Sequence, residues 1–298
     1  MILTKSKLDT ATGINDQILA SPQWKGDPAF DSYLLRKDGS QNHTLTLVLK
    51  LYFNPLAFLL LPIVPVLDAD DKVFWAKPWT QFELAAYKRR VKHVTKRWND
   101  KFWLRPPEGF SKLDVRRGGS VIRPNIYCHL YLDIVEAPAA AHLSIDLANI
   151  DVWNFRSHSR LYSKKDPNDM TMSYKDAEGN FRQTRFNTVT HEIGHALGLK
   201  HVGETHLNLH CNAAIATDSL IRKYFPSITL KGDFGGGSNS NVCYGDMGPH
   251  GQAENVMGQG VQFDATNASP WQQRIAEHTG TSPDRWAVSL GNVKPKKL

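Results

Sequence analysis

The sequence predicts an α+β protein, an α/β sandwich in which helices pack on a mixed, twisted sheet, because its hydrophobic period switches between that of a strand and that of a helix. Residues 44–53 alternate strictly, with Leu45, Leu47, Leu49, Leu51 and Phe53 on one side and Thr44, Thr46, Val48, Lys50 and Tyr52 on the other. That is the pattern of a half-buried strand. Residues 80–104 repeat at three and four positions instead: Leu84, Tyr87, Val91, Val94, Trp98 and Phe102 form the apolar stripe of a long amphipathic helix, which Pro106-Pro107 stops. Alternation then returns, at 112–117, at 125–135, where Ile126, Cys128, Leu130, Leu132 and Ile134 share a face, and at 142–150. Asp166-Pro167-Asn168-Asp169 turns the chain into a short strand at 170–174, and Asp176-Ala177-Glu178-Gly179-Asn180 turns it again.

At 298 residues, 41% hydrophobic and 22% charged, the chain can bury a substantial core, and its composition excludes a disordered, collagenous or disulfide-scaffold protein. Residues 1–43 are polar and turn-rich, and read as an arm, a short pro-segment or a delivery signal. The domain proper is expected over 44–280, with a basic tail at 281–298. The net charge of +7 is too diffuse for a dedicated nucleic-acid binder. Lys88, Arg89, Arg90, Lys92, Lys96, Arg97 and Lys101 fall opposite the apolar stripe of the helix and read as its solvated face. No secretory signal is legible at the start, and Lys50, Asn54, Pro55, Pro62 and Pro65 interrupt the most apolar stretch, so no membrane span is expected.

The chemistry is concentrated in His191-Glu192-Ile193-Gly194-His195-Ala196-Leu197-Gly198-Leu199-Lys200-His201. Composition puts the chance occurrence of its five fixed letters at roughly 4 × 10⁻⁵, so coincidence is set aside. Residues four apart share one helix face, which lets the imidazoles of His191 and His195 converge on one ion with Glu192 beside them. Val189, Ile193, Ala196 and Leu197 would bury the opposite side. Gly198 permits a left-handed turn that brings His201 back as a third ligand. His206 and His210 lie close enough in sequence to compete for that place. Three nitrogens leave a fourth position for water, the open arrangement of a catalytic zinc site. Glu192 would be the general base, and amide hydrolysis the outcome.

This run resembles the extended zinc signature of the metzincin metallopeptidases, with agreement that is strong at the histidines and looser over 44–279. The resemblance implies a metzincin-like catalytic domain with a long N-terminal helix, an active-site helix, a methionine turn beneath the metal and a C-terminal helix. It divides the domain into an upper part, 44–201, and a lower part, 202–280. Asn255-Val256-Met257-Gly258 best resembles the methionine turn, since Ser269-Pro270-Trp271-Gln272 reads as N-cap, N1 proline and capping-box glutamine of a helix running to about His278. Met257 would then support the metal without ligating it; Met247 is the competing methionine. Val202 after the third histidine matches no one subfamily, and Gln259 excludes a tyrosine ligand from that position. Tyr244 is left as the candidate oxyanion stabiliser. No cysteine-switch motif precedes the domain, so latency must come from elsewhere.

Of the 3 cysteines, one pair plus a buried thiol and three reduced thiols are both open. Cys211 and Cys243 are the expected pair, closing the segment after the histidines, with Cys128 a buried strand thiol. Asp68, Asp70 and Asp71, or Asp166 and Asp169, could be imagined around Ca²⁺, but neither run has the spacing of a calcium loop and both read as solvated turns. Gly235-Gly236-Gly237 is not followed by the Gly-Lys-Ser/Thr of a phosphate loop.

The expectation is a monomeric endopeptidase with one catalytic Zn²⁺ and a protein or peptide substrate, added along the strand at 170–174. Alternatives are an amidase acting on cell-wall peptide, or a catalytically weak binding or delivery protein using its basic helix; an intact Glu192 argues against the last. An active protease without an export signal points to a bacterial effector or toxin leaving by a non-Sec route, through injection machinery, to act in a target cell or outside; the alternative is a cytoplasmic protein.

Overall fold

The computed structural model describes residues 16–19, 30–35, 42–56, 63–152, 154–158, 160–176, 178–206, 209–224, 240, 242–245, 252–291, 294 and 296–297. Their strands and helices make an α+β fold. The chain begins with β1 (Asp16–Leu19), β2 (Asp31–Leu35), β3 (His43–Pro55), the hairpin β4 (Val64–Leu67) and β5 (Val73–Ala76), and helix α1 (Gln81–Thr95). It continues through β6 (Phe102–Arg105), β7 (Val115–Arg117), β8 (Ser120–Arg123), β9 (Ile126–Val135), β10 (Leu143–Ala148), β11 (Leu161–Ser163) and the hairpin β12 (Met170–Lys175) and β13 (Phe181–Phe186). Helices α2 (Thr188–Ala196), α3 (Val202–Thr205), α4 (Leu209–Tyr224) and α5 (Ser269–Thr279) follow, then β14 (Ala287–Leu290) and β15 (Lys296–Lys297).

β3 organises the mixed eight-stranded sheet. β9 runs parallel along one of its edges, from His43 opposite Ile126 to Tyr52 opposite Val135. Its other edge is shared end to end by β2, antiparallel, and β10, parallel. Beyond β9 the sheet continues antiparallel through β6 and β14, and β11 extends it parallel to β10. The side chains that alternate on β3 and β9 point into one core, where Leu45, Leu47, Leu49 and Leu51 meet Cys128, Leu130 and Leu132. Helices cover this face: Tyr87 of α1 packs edge-on against Phe53, and His278 of α5 reaches Ser32 of β2, 3.1 Å away. The opposite face is less open than a half-buried strand implies, since Thr46, Val48 and His129 are also buried.

Several sequence boundaries move. The helix expected over 80–104 starts as read, with Thr80 and Glu83 closing a capping box, but ends at Thr95 in a single 3-10 turn, Lys96–Trp98. The reason is tertiary: Asn99 uses its side chain on β9, accepting from Leu130 N at 2.7 Å and donating to Leu130 O at 3.2 Å, and Asp100 turns left-handed at φ 61°. Trp98 and Phe102 keep the helical spacing only because both face the same core. The domain also starts before 44, because Phe30 and Leu34 are buried and β2 pairs with β3. It ends after 280: Trp286 is fully buried and β14 pairs with β6. The capping box expected at Ser269 belongs to the preceding 3-10 turn, where Asp264 and Asn267 form it; Ala268 holds the N-cap position of α5 without a side-chain cap. Gly235, Gly236, Gly237 and Met247 lie outside the described residues. Among the described residues no helix is long and apolar enough to cross a membrane.

Cys211 on α4 is bonded to Cys243, 32 residues on, while Cys128 is a buried free thiol. Thiol alkylation of the unfolded oxidised chain should therefore label one cysteine, and three after reduction; three labels before reduction would overturn the pairing. Closing a loop of this length stabilises by about 3–4 kcal/mol in the chain-entropy model, so the Cys211→Ser/Cys243→Ser variant should unfold at correspondingly lower urea.

Candidate metal centre

Helix α2 is short and held at both ends. Its N-cap Asn187 accepts from Thr190 N at 3.0 Å and from the Thr190 hydroxyl at 2.9 Å. The Asn187 amide also donates to Pro167 O at 3.2 Å and to Asp169 at 3.0 Å, and Asp169 takes a bidentate pair from Arg97, at 2.7 and 3.1 Å. Trp98 Nε1 donates to Thr190 O at 3.2 Å. The 3-10 turn after α1 therefore fixes the first turn of α2, which is why Trp98 sits where it does. At the other end Gly198 adopts φ 85°, and Leu199 N returns to Gly194 O at 2.9 Å, so the chain folds back on itself.

That reversal completes a cluster. His195 Nε2 lies 3.1 Å from His191 Nε2 and 3.0 Å from His201 Nε2. Each of these residues offers one ligand atom, all within 4.8 Å of one another, so the three together could bind a metal ion. Tetrahedral metal–nitrogen bonds of 2.0–2.1 Å imply nitrogens roughly 3.3 Å apart, close to the spacing of the two short pairs. The far sides of two rings are committed: His191 Nδ1 donates to Val256 O and His195 Nδ1 to Leu199 O, each at 2.8 Å. A ring that donates from Nδ1 keeps its Nε2 lone pair for a ligand. Burial, then the neighbouring His195 and His201, hold the His191 pKa well below its ordinary value, so it stays a neutral donor. His201 Nδ1 is 3.8 Å from Glu204, whose carboxylate also accepts from the His201 backbone at 3.3 Å. His206 lies 3.7 Å from Asp264 and His210 is exposed on α4; neither is in the cluster.

Met257 packs against the α2 helix at Gly194, between His191 and His195 in sequence. Its sulfur fills the space a methyl group on Gly194 would need, its carbonyl accepts from Val202 N at 3.0 Å, and its amide donates to Asn255 at 2.8 Å. The Asn255 and Asn267 side chains are paired amide to amide at 3.1 and 3.2 Å, tying the turn to the segment that leads into α5. Tyr244 closes another side, its ring centroid 4.0 Å from that of His201 and 5.6 Å from that of His191. Burial and the nearby Glu192 push its hydroxyl up to about 12.

Glu192 is 9% exposed and its carboxyl is pushed up to about 8, by burial first and by the charge of Asp166 second. Asp166 is pushed up to about 6 by burial, against hydrogen bonds from Ser157 Oγ at 2.6 Å and from Ser163 N and Oγ at 2.6 and 2.8 Å. The carboxylates considered for Ca²⁺ are thus already engaged by protein donors: Asp68 by the amides of Asp70, Lys72 and Arg156, Asp70 by Lys72 and Arg156, and Asp169 by Arg97. Asp71 is a left-handed turn residue at φ 59°. Asp166, expected in a solvated turn, is instead buried at 3% exposure, and Asn187 and Glu204 were not expected near the site; of these two only Asn187, an N-cap type three residues before Thr190, carries a local signal.

No family model, no curated protein and no solved structure matches this chain.

The Gly194–Met257 contact makes a direct prediction. Gly194→Ala should displace Met257, destabilise the chain by about 1–3 kcal/mol and weaken metal binding, because Val256, next to Met257, orients His191. Urea unfolding and chelator competition measure the two effects; an unchanged metal affinity would uncouple the methionine from the site.

Proposed function

We propose that this chain is a zinc-dependent endopeptidase of metzincin type, with His191, His195 and His201 as ligands and Glu192 as general base. The observation that carries the reading is the convergence of three Nε2 atoms, two of them set by Nδ1–carbonyl bonds, beside a buried glutamate on a helix packed against Met257. The donor set of neutral imidazoles with committed outer nitrogens suits zinc, and three protein ligands are the number found in catalytic sites. Zinc held there would supply Lewis-acid chemistry, raising the acidity of water and polarising a carbonyl oxygen.

The protein supplies the rest. Glu192 takes a proton on its carboxylate as water attacks the scissile carbonyl, and returns it to the leaving nitrogen. Its buried setting keeps that proton from exchanging freely with solvent. Tyr244, packed on two of the imidazoles, is the candidate donor to the developing oxyanion. An extended peptide would add to β12. That strand already pairs with β13 on one edge, and β13, a polar strand absent from the sequence reading, is the one that leads into α2. Ser173→Pro removes one β12 amide and should raise KM for peptides; unchanged kinetics in a folded variant would move the substrate to another edge.

Two substitutions separate holding the metal from using it. Glu192→Gln should keep zinc near one per chain while turnover falls by about 10²- to 10⁴-fold. His201→Ala should lose zinc to a modest chelator and melt at lower temperature, since metal binding is coupled to folding. Elemental analysis, peptide cleavage and a melting curve report all three quantities. Stoichiometric zinc and full activity in His201→Ala would remove the reading.

A further inference from the structure

We propose that the Cys211–Cys243 disulfide is the latency device of this site: it anchors the Tyr244 wall against the histidines, so the chain gains its full metal affinity and turnover only after oxidation. The turnover part rests on the peptidase reading above. The two cysteines join the helix that follows α3 to the turn that packs on the histidines. α3 starts directly after His201, and Cys211 sits near the start of α4, the next helix. Cys243 immediately precedes Tyr244, whose ring is the one packed on His201 and His191.

The turn carrying Tyr244 is held by backbone contacts as well as by the bridge. Gly203 N donates to Cys243 O at 2.7 Å, and Gly203 approaches the 242–243 backbone so closely that no side chain fits between them. Ser240 Oγ donates to Cys243 Sγ at 3.2 Å. Gly258 lies as closely against Tyr244 O and Gly245 against Ala253 N, and the covalent link adds to the tie made by Gly203 of α3 a second one, to α4. When the link is absent the ring keeps only these noncovalent ties, and imidazole orientation would loosen with it.

Both sulfurs are fully buried, so the bridge is set during folding rather than toggled on the finished surface. In the forming step one cysteine thiolate attacks a disulfide oxidant, and the second cysteine displaces the mixed disulfide. The two thiols lose two electrons and two protons, and the oxidant departs as two thiols. Cys128 does not compete: it is fully buried in β9, and burial pushes its thiol well above the ordinary value. A chain made in a reducing compartment would thus carry all the ligands with an unfinished wall.

The test compares the oxidised wild type with the Cys211→Ser/Cys243→Ser variant and with wild type isolated from a reducing cytosol and kept reduced. Zinc affinity by chelator competition, kcat and KM on a peptide, and thermal melting are measured on each. Both disulfide-free forms should melt cooperatively, bind zinc about 10-fold or more weakly, and lose kcat with little change in KM. Tyr244→Ala should cause a similar loss in the oxidised chain and add little to the double serine variant. Wild-type zinc affinity and kcat in a folded disulfide-free chain would overturn the proposal, and so would losses that simply add to that of Tyr244→Ala. A disulfide-free chain with no cooperative melt would overturn it as well, since the bridge would then hold the whole fold. If the oxidised wild type cleaves no peptide, the peptidase reading fails while the zinc affinities still judge the anchor.

Discussion

The hydrogen bond from His191 Nδ1 to Val256 O, 2.8 Å long, joins the helix that carries two of the histidines to the turn that supports them. An imidazole free to rotate would place its Nε2 anywhere on an arc, and three such rings would seldom meet. Here the rings are fixed from behind, by Val256 O and Leu199 O, while the helix itself is fixed at its first turn by Asn187 and Trp98. Each support is made by a different part of the chain. The sheet holds α1, the end of α1 holds α2, and the Met257 turn holds both α2 and the residue after His201. Preorganisation of the cluster is therefore a property of the whole core, not of the eleven-residue run alone.

Charge burial supports a cation at this place. Glu192 and Asp166 are both buried and both pushed above the ordinary carboxylate range, chiefly by burial, and Asp166 raises the cost of ionising Glu192. The Tyr162 hydroxyl, buried near the same pair, has no hydrogen-bond partner among the described residues. Interiors rarely keep an acid beside neutral imidazoles without some compensating positive charge. A cation held by the three Nε2 atoms would supply it, and would return Glu192 toward a working proton acceptor near neutral pH. Asp166 serves differently: with Ser157 and Ser163 bonded to it, it also accepts Val189 N on its backbone carbonyl at 3.4 Å, and so braces the first turn of α2.

What could be read from the sequence was what depends on local spacing. His191 and His195 share a face because they are four apart, and Gly198 turns the chain because it alone among its neighbours lacks a Cβ. Strand β3 was legible because its alternation is long and its core face purely apolar. The misplaced boundaries all depend on distant partners. α1 ends early because Asn99 spends its amide on Leu130, which no helical period records. β2 and β14 are short segments with little pattern of their own, defined by pairing with β3 and β6. β13 is polar and largely exposed, so its only signature is the turn before it. Asp166 was placed in a solvated turn and Glu204 was not singled out for the same reason: acids near a site look like any other acids until the fold buries them there.

Residues 201 to 203 show how the pieces are coupled. The His201 ring packs on Tyr244, Val202 N donates to Met257 O, and Gly203 N donates to Cys243 O. The third histidine, the Met257 turn and the disulfide-linked turn thus meet in three consecutive residues. His191 and His195 each spend Nδ1 on a backbone carbonyl at 2.8 Å, and His201 is tied through its own backbone, its N–H donating to the Glu204 carboxylate at 3.3 Å and its carbonyl accepting from Glu204 N at 3.0 Å. The Tyr244 ring, 4.0 Å away centroid to centroid, adds a packed wall to that anchoring. A displacement of the 242–245 turn would therefore reach His201 through its ring and through Gly203 at once.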